Sequence, residues 1–318
     1  MNRLHLLLLA MVAYTTAGAQ QLSLFTQYRE NAEIFNPAAL SANYLAFEQN
    51  VSFGATYRAQ WTQFTGNPTT QTLQGSYFYK DPGSFNILAG GHLINDQTGP
   101  TGFTGLYGRL GGVISPDPYY GGISFGLNVG IVQYRVDGSD IRLRQEGDVL
   151  SGVDVNQWYP DAGVGVFAYR RLESSRSGRD LIYGGVSVPQ VIGLDLTFTD
   201  ATGEFFTQRV QHFYGMLGLY KFLRDEDTFI EPSVWIKYVP GAPINADFNL
   251  RYQMPGNFWI GTGISTASNF HFEAGFILGE VGYDNLLRVG YGFDYSFTDF
   301  GPSAGVTHEI NVSYSIDY

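Results

Sequence analysis

Cysteine is absent from the 318 residues. That removes disulfide scaffolds, thiol catalysis and cysteine-ligated metals together, and it fits a bacterial envelope protein. Charge is scarce as well: Lys, Arg, Asp and Glu make up 15% of the chain, with 29 acidic residues against 18 basic ones. The net charge of −11 argues against nucleic acid or anionic membrane surfaces as partners. After the N-terminus no apolar run approaches the roughly 20 residues that a spanning helix needs. Enzyme signatures are missing too. His92, His212, His271 and His308 lie in no H-E-x-x-H spacing, and there is no nucleophile elbow, phosphate loop or dinucleotide fingerprint. His271 and Glu273 share one strand face and are read as a hydrogen-bonded pair rather than an acid–base couple. The sequence designates no catalytic, cofactor-binding or metal-ligating residue.

Aromatics and glycine are plentiful: 24 Phe, 22 Tyr and 40 Gly. That composition suits aromatic strands joined by tight turns. The last thirteen residues alternate strictly. Ile310, Val312, Tyr314, Ile316 and Tyr318 are apolar, while Glu309, Asn311, Ser313, Ser315 and Asp317 separate them. Alternation of this kind is a strand with one apolar and one polar face. A terminal aromatic such as Tyr318 is typical of outer-membrane β-barrels. In lipid the final strand must close against the first, because no open sheet edge is tolerated there.

The same pattern recurs along the chain. Val51 to Trp61 alternates, as do Ile123 to Ile131, Ala246 to Met254, Phe270 to Leu278 and Leu287 to Phe297. Weaker strands fit near residues 70–80, 85–94, 103–114, 162–170, 181–188, 210–222 and 229–238. With the final strand the count is about fourteen, each of roughly ten residues, as lipid-spanning barrels use. A soluble sandwich would need the apolar faces of two sheets to pair in a core. The predicted fold is therefore all-β: a transmembrane antiparallel outer-membrane barrel over residues 51–318.

Residues 1–19 read as a secretory leader, with Arg3, an apolar core from Leu6 to Ala13 and Ala17-Gly18-Ala19 at the cleavage site. Residues 20–50 lack alternation and are expected to sit in the lumen or at the periplasmic rim, with a short helix opening at Ala38-Ala39-Leu40. Inward Arg58, Arg251 and Arg288 are expected to pair across the lumen with Asp247, Glu273, Asp294 and Glu309. The paired glycines Gly90-Gly91, Gly111-Gly112 and Gly121-Gly122 are read as permitting bending. Longer polar connections at 137–160 and 189–208 are expected outside the cell. The first carries Arg142, Arg144 and Trp158, a mixed-charge surface with an aromatic anchor for a protein partner.

Several local sequences together resemble the PorP/SprF family of outer-membrane proteins, associated with the type IX secretion system of Bacteroidota. They are Phe25-Thr26-Gln27-Tyr28, Asn36-Pro37-Ala38, Tyr57-Arg58-Ala59-Gln60-Trp61, Gly66-Asn67-Pro68-Thr69, Asn95 to Pro100, Pro160-Asp161-Ala162-Gly163-Val164-Gly165 and Thr307-His308-Glu309-Ile310. The match runs nearly end to end. It departs at Ala39-Leu40-Ser41, where the family has an aromatic followed by Ala-Gly. That keeps open the alternative of a FadL-like channel for small or hydrophobic solutes, since such channels share the N-terminal Asn-Pro-Ala.

The resemblance implies a Gram-negative outer-membrane protein that acts with other type IX components. It implies binding of a secreted adhesin- or gliding-type surface protein through its C-terminal sorting domain, to export or anchor it, and no enzymatic activity. Outer-membrane lipid is the other expected partner. Asn36, Pro37, Arg58, Gln60, Trp61, Gly66, Pro68, Asp161, His308, Glu309 and Tyr318 carry the motifs. Arg58 and Gln60 are expected inside, with the Trp61 indole toward lipid. Replacing Tyr318 with Asp is expected to lower the yield of folded, heat-modifiable protein on mild-detergent electrophoresis; unchanged yield would refute the role given to the terminal aromatic.

Overall fold

The computed structural model describes residues 24–81, 85–137, 155–172, 178–192, 195–200, 203–208, 210–223, 228–279, 285–298 and 301–318. The expected leader and two loop residues, Arg142 and Arg144, lie outside the described residues.

The strands are β1 (Val51–Ala59), β2 (Thr69–Tyr79), β3 (Phe85–Thr98), β4 (Thr101–Ile114), β5 (Gly121–Val136), β6 (Val155–Arg171), β7 (Leu181–Val188), β8 (Asp195–Asp200), β9 (Gly203–Gln208), β10 (Phe213–Phe222), β11 (Phe229–Tyr238), β12 (Asn245–Gln253), β13 (Phe258–Ser265), β14 (Asn269–Leu278), β15 (Asn285–Ser296) and β16 (Thr307–Ile316). Fourteen of them form one closed antiparallel barrel in chain order, while β8 and β9 form a separate hairpin between β7 and β10. The seam joins the two ends of the chain, from Val51 opposite Ile316 to Ala59 opposite His308. Beyond the ladder the Asn50 side chain extends it. Its amide donates to the Tyr318 carbonyl (2.9 Å), and its oxygen accepts the Tyr318 N–H (2.8 Å).

The pleat sends alternate side chains in and out. On β1 Ser52, Thr56 and Arg58 are buried while Phe53 and Tyr57 are exposed. On β4 Leu106 and Leu110 are each 63% exposed. A soluble protein would cover such rows; here they ring the barrel and face lipid. No helix among the described residues is long and apolar enough to cross a membrane.

Several expectations need correction. β1 stops at Ala59. The Gln60 N–H bonds the Pro68 carbonyl (2.8 Å) and Trp61 adopts a left-handed φ of 50°, so Trp61 belongs to a turn, not to a lipid-facing row. Strand β13 was not among the sequence runs. Its inward positions include Gly261 and Gly263, which carry no polar side chain to mark the alternation. Trp158 lies on β6, opposite Gln133, rather than in a loop. The 189–208 connection contains the β8–β9 hairpin.

Upstream of β1 the chain forms a 3-10 turn (Tyr28–Asn31) and two short helices, α1 (Ala32–Phe35) and α2 (Ala42–Phe47). Helix α2 opens at Ala42, not Ala38. The Ser41 hydroxyl caps it by accepting the Tyr44 N–H (3.1 Å), and Glu48 ends it in a left-handed conformation. A third helical turn, α3 (Gly301–Ala304), lies between β15 and β16. The connections at the end where β1 begins are four to nine residues long, and the two longest ones, 137–154 and 189–212, lie at the other end.

The lipid-facing assignment has a direct check. Leu127→Arg, in the outward row of β5, is expected to cost about 2–4 kcal/mol of stability if it sits near the bilayer midplane. Chemical unfolding in lipid vesicles measures it, and a cost near zero would contradict the assignment.

Candidate functional site: a segment buried in the barrel

Residues 25–46 are almost wholly buried, and their contacts are inward-facing strand residues. The segment is a plug. It starts near the far end, where the Glu309 carboxylate accepts the N–H groups of Thr26 (2.6 Å) and Gln27 (2.9 Å). It leaves at the other end, where Tyr44 bonds the Pro118 carbonyl and Glu48 pairs with Arg171 (2.6 Å).

Two kinds of wall hold it. On one side stand charges. Glu30 pairs with Arg288 (2.6 Å) and Arg251 (3.2 Å). Its neighbour Arg29 pairs with Glu231 (3.2 Å) and with Glu273. On the other side stand aromatics. Tyr28 stacks on Trp235 at 5.5 Å, Phe35 packs against Tyr214 at 4.8 Å, and Tyr44 meets Phe78 edge-on at 4.7 Å. The lumen is therefore not uniformly polar, as the stronger strands suggested. Strands β6, β7, β10 and β11 contribute an apolar half. Nor do the wall charges simply pair across the lumen: Arg251, Arg288 and Glu273 meet the plug.

The sequence motifs fall into three places. The first is the plug dock. The Asn36 side chain donates to the Val166 carbonyl (3.1 Å) and accepts the Ala38 N–H (2.9 Å). A Cβ at Gly165 would collide with Asn36, and one at Gly126 with the Pro37 backbone. The motifs Asn36-Pro37-Ala38 and Asp161 to Gly165 are thus two sides of one contact region. Asp161 itself accepts the Tyr107 hydroxyl (2.7 Å).

The second place is the far-end rim. Arg58 bridges Asp294 (2.6 Å) and Glu309 (3.3 Å) and also bonds Thr26. Gln60 accepts from Asn67, beside Pro68, and the Gly66 carbonyl accepts the Gly99 N–H (3.2 Å). Trp61 reaches Thr307 through its backbone N–H. The third is the seam and its surface, where His308 points away from Glu309 and meets the Tyr291 hydroxyl (2.6 Å), and Tyr318 is exposed. His271 and Glu273 share a face but not a bond: His271 meets Asn249 and Glu273 meets Arg29.

Arg29, Glu30, Glu33 and Glu231 were missed. The available signal was the pair of opposite charges in the aromatic stretch Phe25 to Phe35. Glu33 bonds Arg109 (2.8 Å), whose other nitrogen donates to the Ala39 carbonyl. A crevice of about 30 Å³ remains between the plug and Ile94, Phe103 and Tyr107, enough for a water molecule. No group of three or more His, Asp or Glu with metal-holding geometry occurs among the described residues.

The family model for the type IX secretion system membrane protein PorP/SprF matches residues 17–314. The chain belongs to the PorP/SprF family. Among curated proteins none matches it. The CymD monoaromatic hydrocarbon channel shares the architecture at a TM-score of 0.54 and 9% identity, over 96% of this chain and 97% of that one. A mutant TodX monoaromatic hydrocarbon channel follows at 0.51 and 10%, over 93% and 99%. At these identities the likeness concerns the fold alone. Family and barrel together make this PorP/SprF protein an outer-membrane component of a secretion system, not a member of a known enzyme class. Barrels of this kind keep their long connections outside, so the end where β1 begins is periplasmic and the far end faces outward.

Removing one member of a buried ion pair strands the other, at roughly 3–5 kcal/mol. Glu30→Gln is expected to loosen the plug at neutral pH, read as faster hydrogen exchange of residues 25–46 with the barrel ladder retained. Unaltered exchange would remove Glu30 from the account.

Proposed function

We propose that this PorP/SprF protein binds a secreted cell-surface protein of the adhesin or gliding type at its outer end, through that protein's C-terminal sorting domain. It helps to export or anchor its partner alongside other type IX components, and it catalyses no reaction. The observation that carries this reading is the plug. Among the described residues the lumen is crossed by a segment ion-paired to β11, β12, β14 and β15, which stands in the way of a solute. What is left for function is the outer surface. There the far-end rim is tied together by the motif residues, and Trp158 stands 61% exposed on the extended end of β6. The connection carrying Arg142 and Arg144 begins at that same end.

A second reading is a channel for apolar solutes. The aromatic half of the lumen favours it, and CymD and TodX are hydrocarbon channels on this fold. Deleting the gene separates the two. The expected result is release or retention of one surface protein, with general secretion and solute uptake unchanged, and small single-channel currents from the purified barrel. Trp158→Ala should weaken capture of the partner without altering heat-modifiability. Large steady currents, with all surface proteins in place in the deletion strain, would favour the channel.

A further inference from the structure

The outward rows of the barrel stay apolar for most of their length. In one sector they end in cations. On β6 the outward side chains run Val164, Val166, Ala168 and then Arg170; on β10 they run Leu217, Leu219 and then Lys221. Strand β7 lies between, with Ile182 opposite both Arg170 and Leu219. Both cations therefore stand where the apolar belt gives way at the periplasmic rim. A long basic side chain at that level lays its stem on the apolar wall and its head among lipid headgroups.

Arg170 is exposed, and its side chain has no ion pair or hydrogen bond among the described residues. Lys221 is paired with Asp180, but its side chain remains 48% exposed. An ammonium has three donors, so pairing leaves some free. The β4–β5 turn stands beside them. The Arg171 N–H donates to the Tyr120 carbonyl (2.7 Å), and the Arg171 guanidinium lies 3.9 Å from the centre of the Tyr119 ring. The Pro118 carbonyl accepts two buried hydroxyls, Tyr44 (2.9 Å) and Tyr169 (2.8 Å). The β4–β5 turn is thus anchored on the inward Arg171, on the opposite face of β6 from Arg170. Elsewhere on this rim, Lys80 is paired with exposed Asp317 (3.0 Å).

We infer that this sector binds the phosphate of an inner-leaflet phospholipid. Arg170 is the principal contact and Lys221 the second. The guanidinium fork matches a phosphate's oxygens, and the apolar row above it matches the chains. Arg170 and Lys221 are cations on a chain whose net charge is −11. A free phosphate would meet only the polar part of the site.

The test uses the full chain purified in detergent. Phosphatidylglycerol, a diacylglycerol without phosphate, and inorganic phosphate are each added. Native mass spectrometry counts retained lipid, and the melting of the barrel is followed alongside. Phosphatidylglycerol is expected to be retained and to raise the melting temperature, whereas diacylglycerol and inorganic phosphate do neither. Arg170→Gln should lower retention about fivefold, the loss of one surface cation's attraction. Arg170→Gln with Lys221→Gln should lower it further, and Arg135→Gln at the outer end of β5 should leave it unchanged. Equal retention of diacylglycerol by the native protein overturns the inference without any variant. So does an equal effect of inorganic phosphate, which would mark a free-anion site. Undiminished phosphatidylglycerol retention in the folded double variant would overturn it too.

Discussion

Two adjacent plug residues of opposite charge, Arg29 and Glu30, each face two wall residues of the complementary sign. Charges taken out of water are tolerable only when paired. Arg251 and Arg288 depend on Glu30, and Glu231 and Glu273 on Arg29. Arg251 also stands 3.9 Å from Glu231, so the groups form one network rather than separate pairs. Neither wall nor plug is a satisfactory buried structure alone. The barrel closes around a segment that completes its interior.

That network also fixes how the plug is seated. A purely ionic dock would admit slippage between like-charged partners, and a purely aromatic one would admit rotation. Here the Tyr28, Phe35 and Tyr44 rings meet the aromatic half, while Arg29 and Glu30 meet the ionic half. Asn36 adds a third fixed point in a recess that Gly126 and Gly165 leave open. The plug therefore ties the outer rim, through Thr26, Arg58 and Glu309, to the periplasmic rim, through Tyr44 and Glu48.

Much of the barrel was legible because alternation is written locally. The final strand, its closure on the first and the inward placing of Arg58 and Glu309 follow from the pleat, and those two motif residues do meet. Strand β13 was hidden where Gly261 and Gly263 take inward positions and leave the polar side of the alternation blank. Trp61 was misplaced because the alternation runs on past the point where the backbone turns. The apolar half of the lumen was obscured by strands that are aromatic on one face and aliphatic on the other, so no hydropathy contrast marks them.

The sequence by itself determined the class of fold and the face side chains take on the clearly alternating strands, since a period of two depends only on neighbouring residues. It carried the family as well, in short motifs spread along the chain. Only the tertiary structure decided what those motifs and charges touch. Arg29 and Glu273 stand 244 positions apart, and Arg288 and Glu30 stand 258 apart. Closure of the barrel brings such residues together, and no local pattern records which inward charge will meet which.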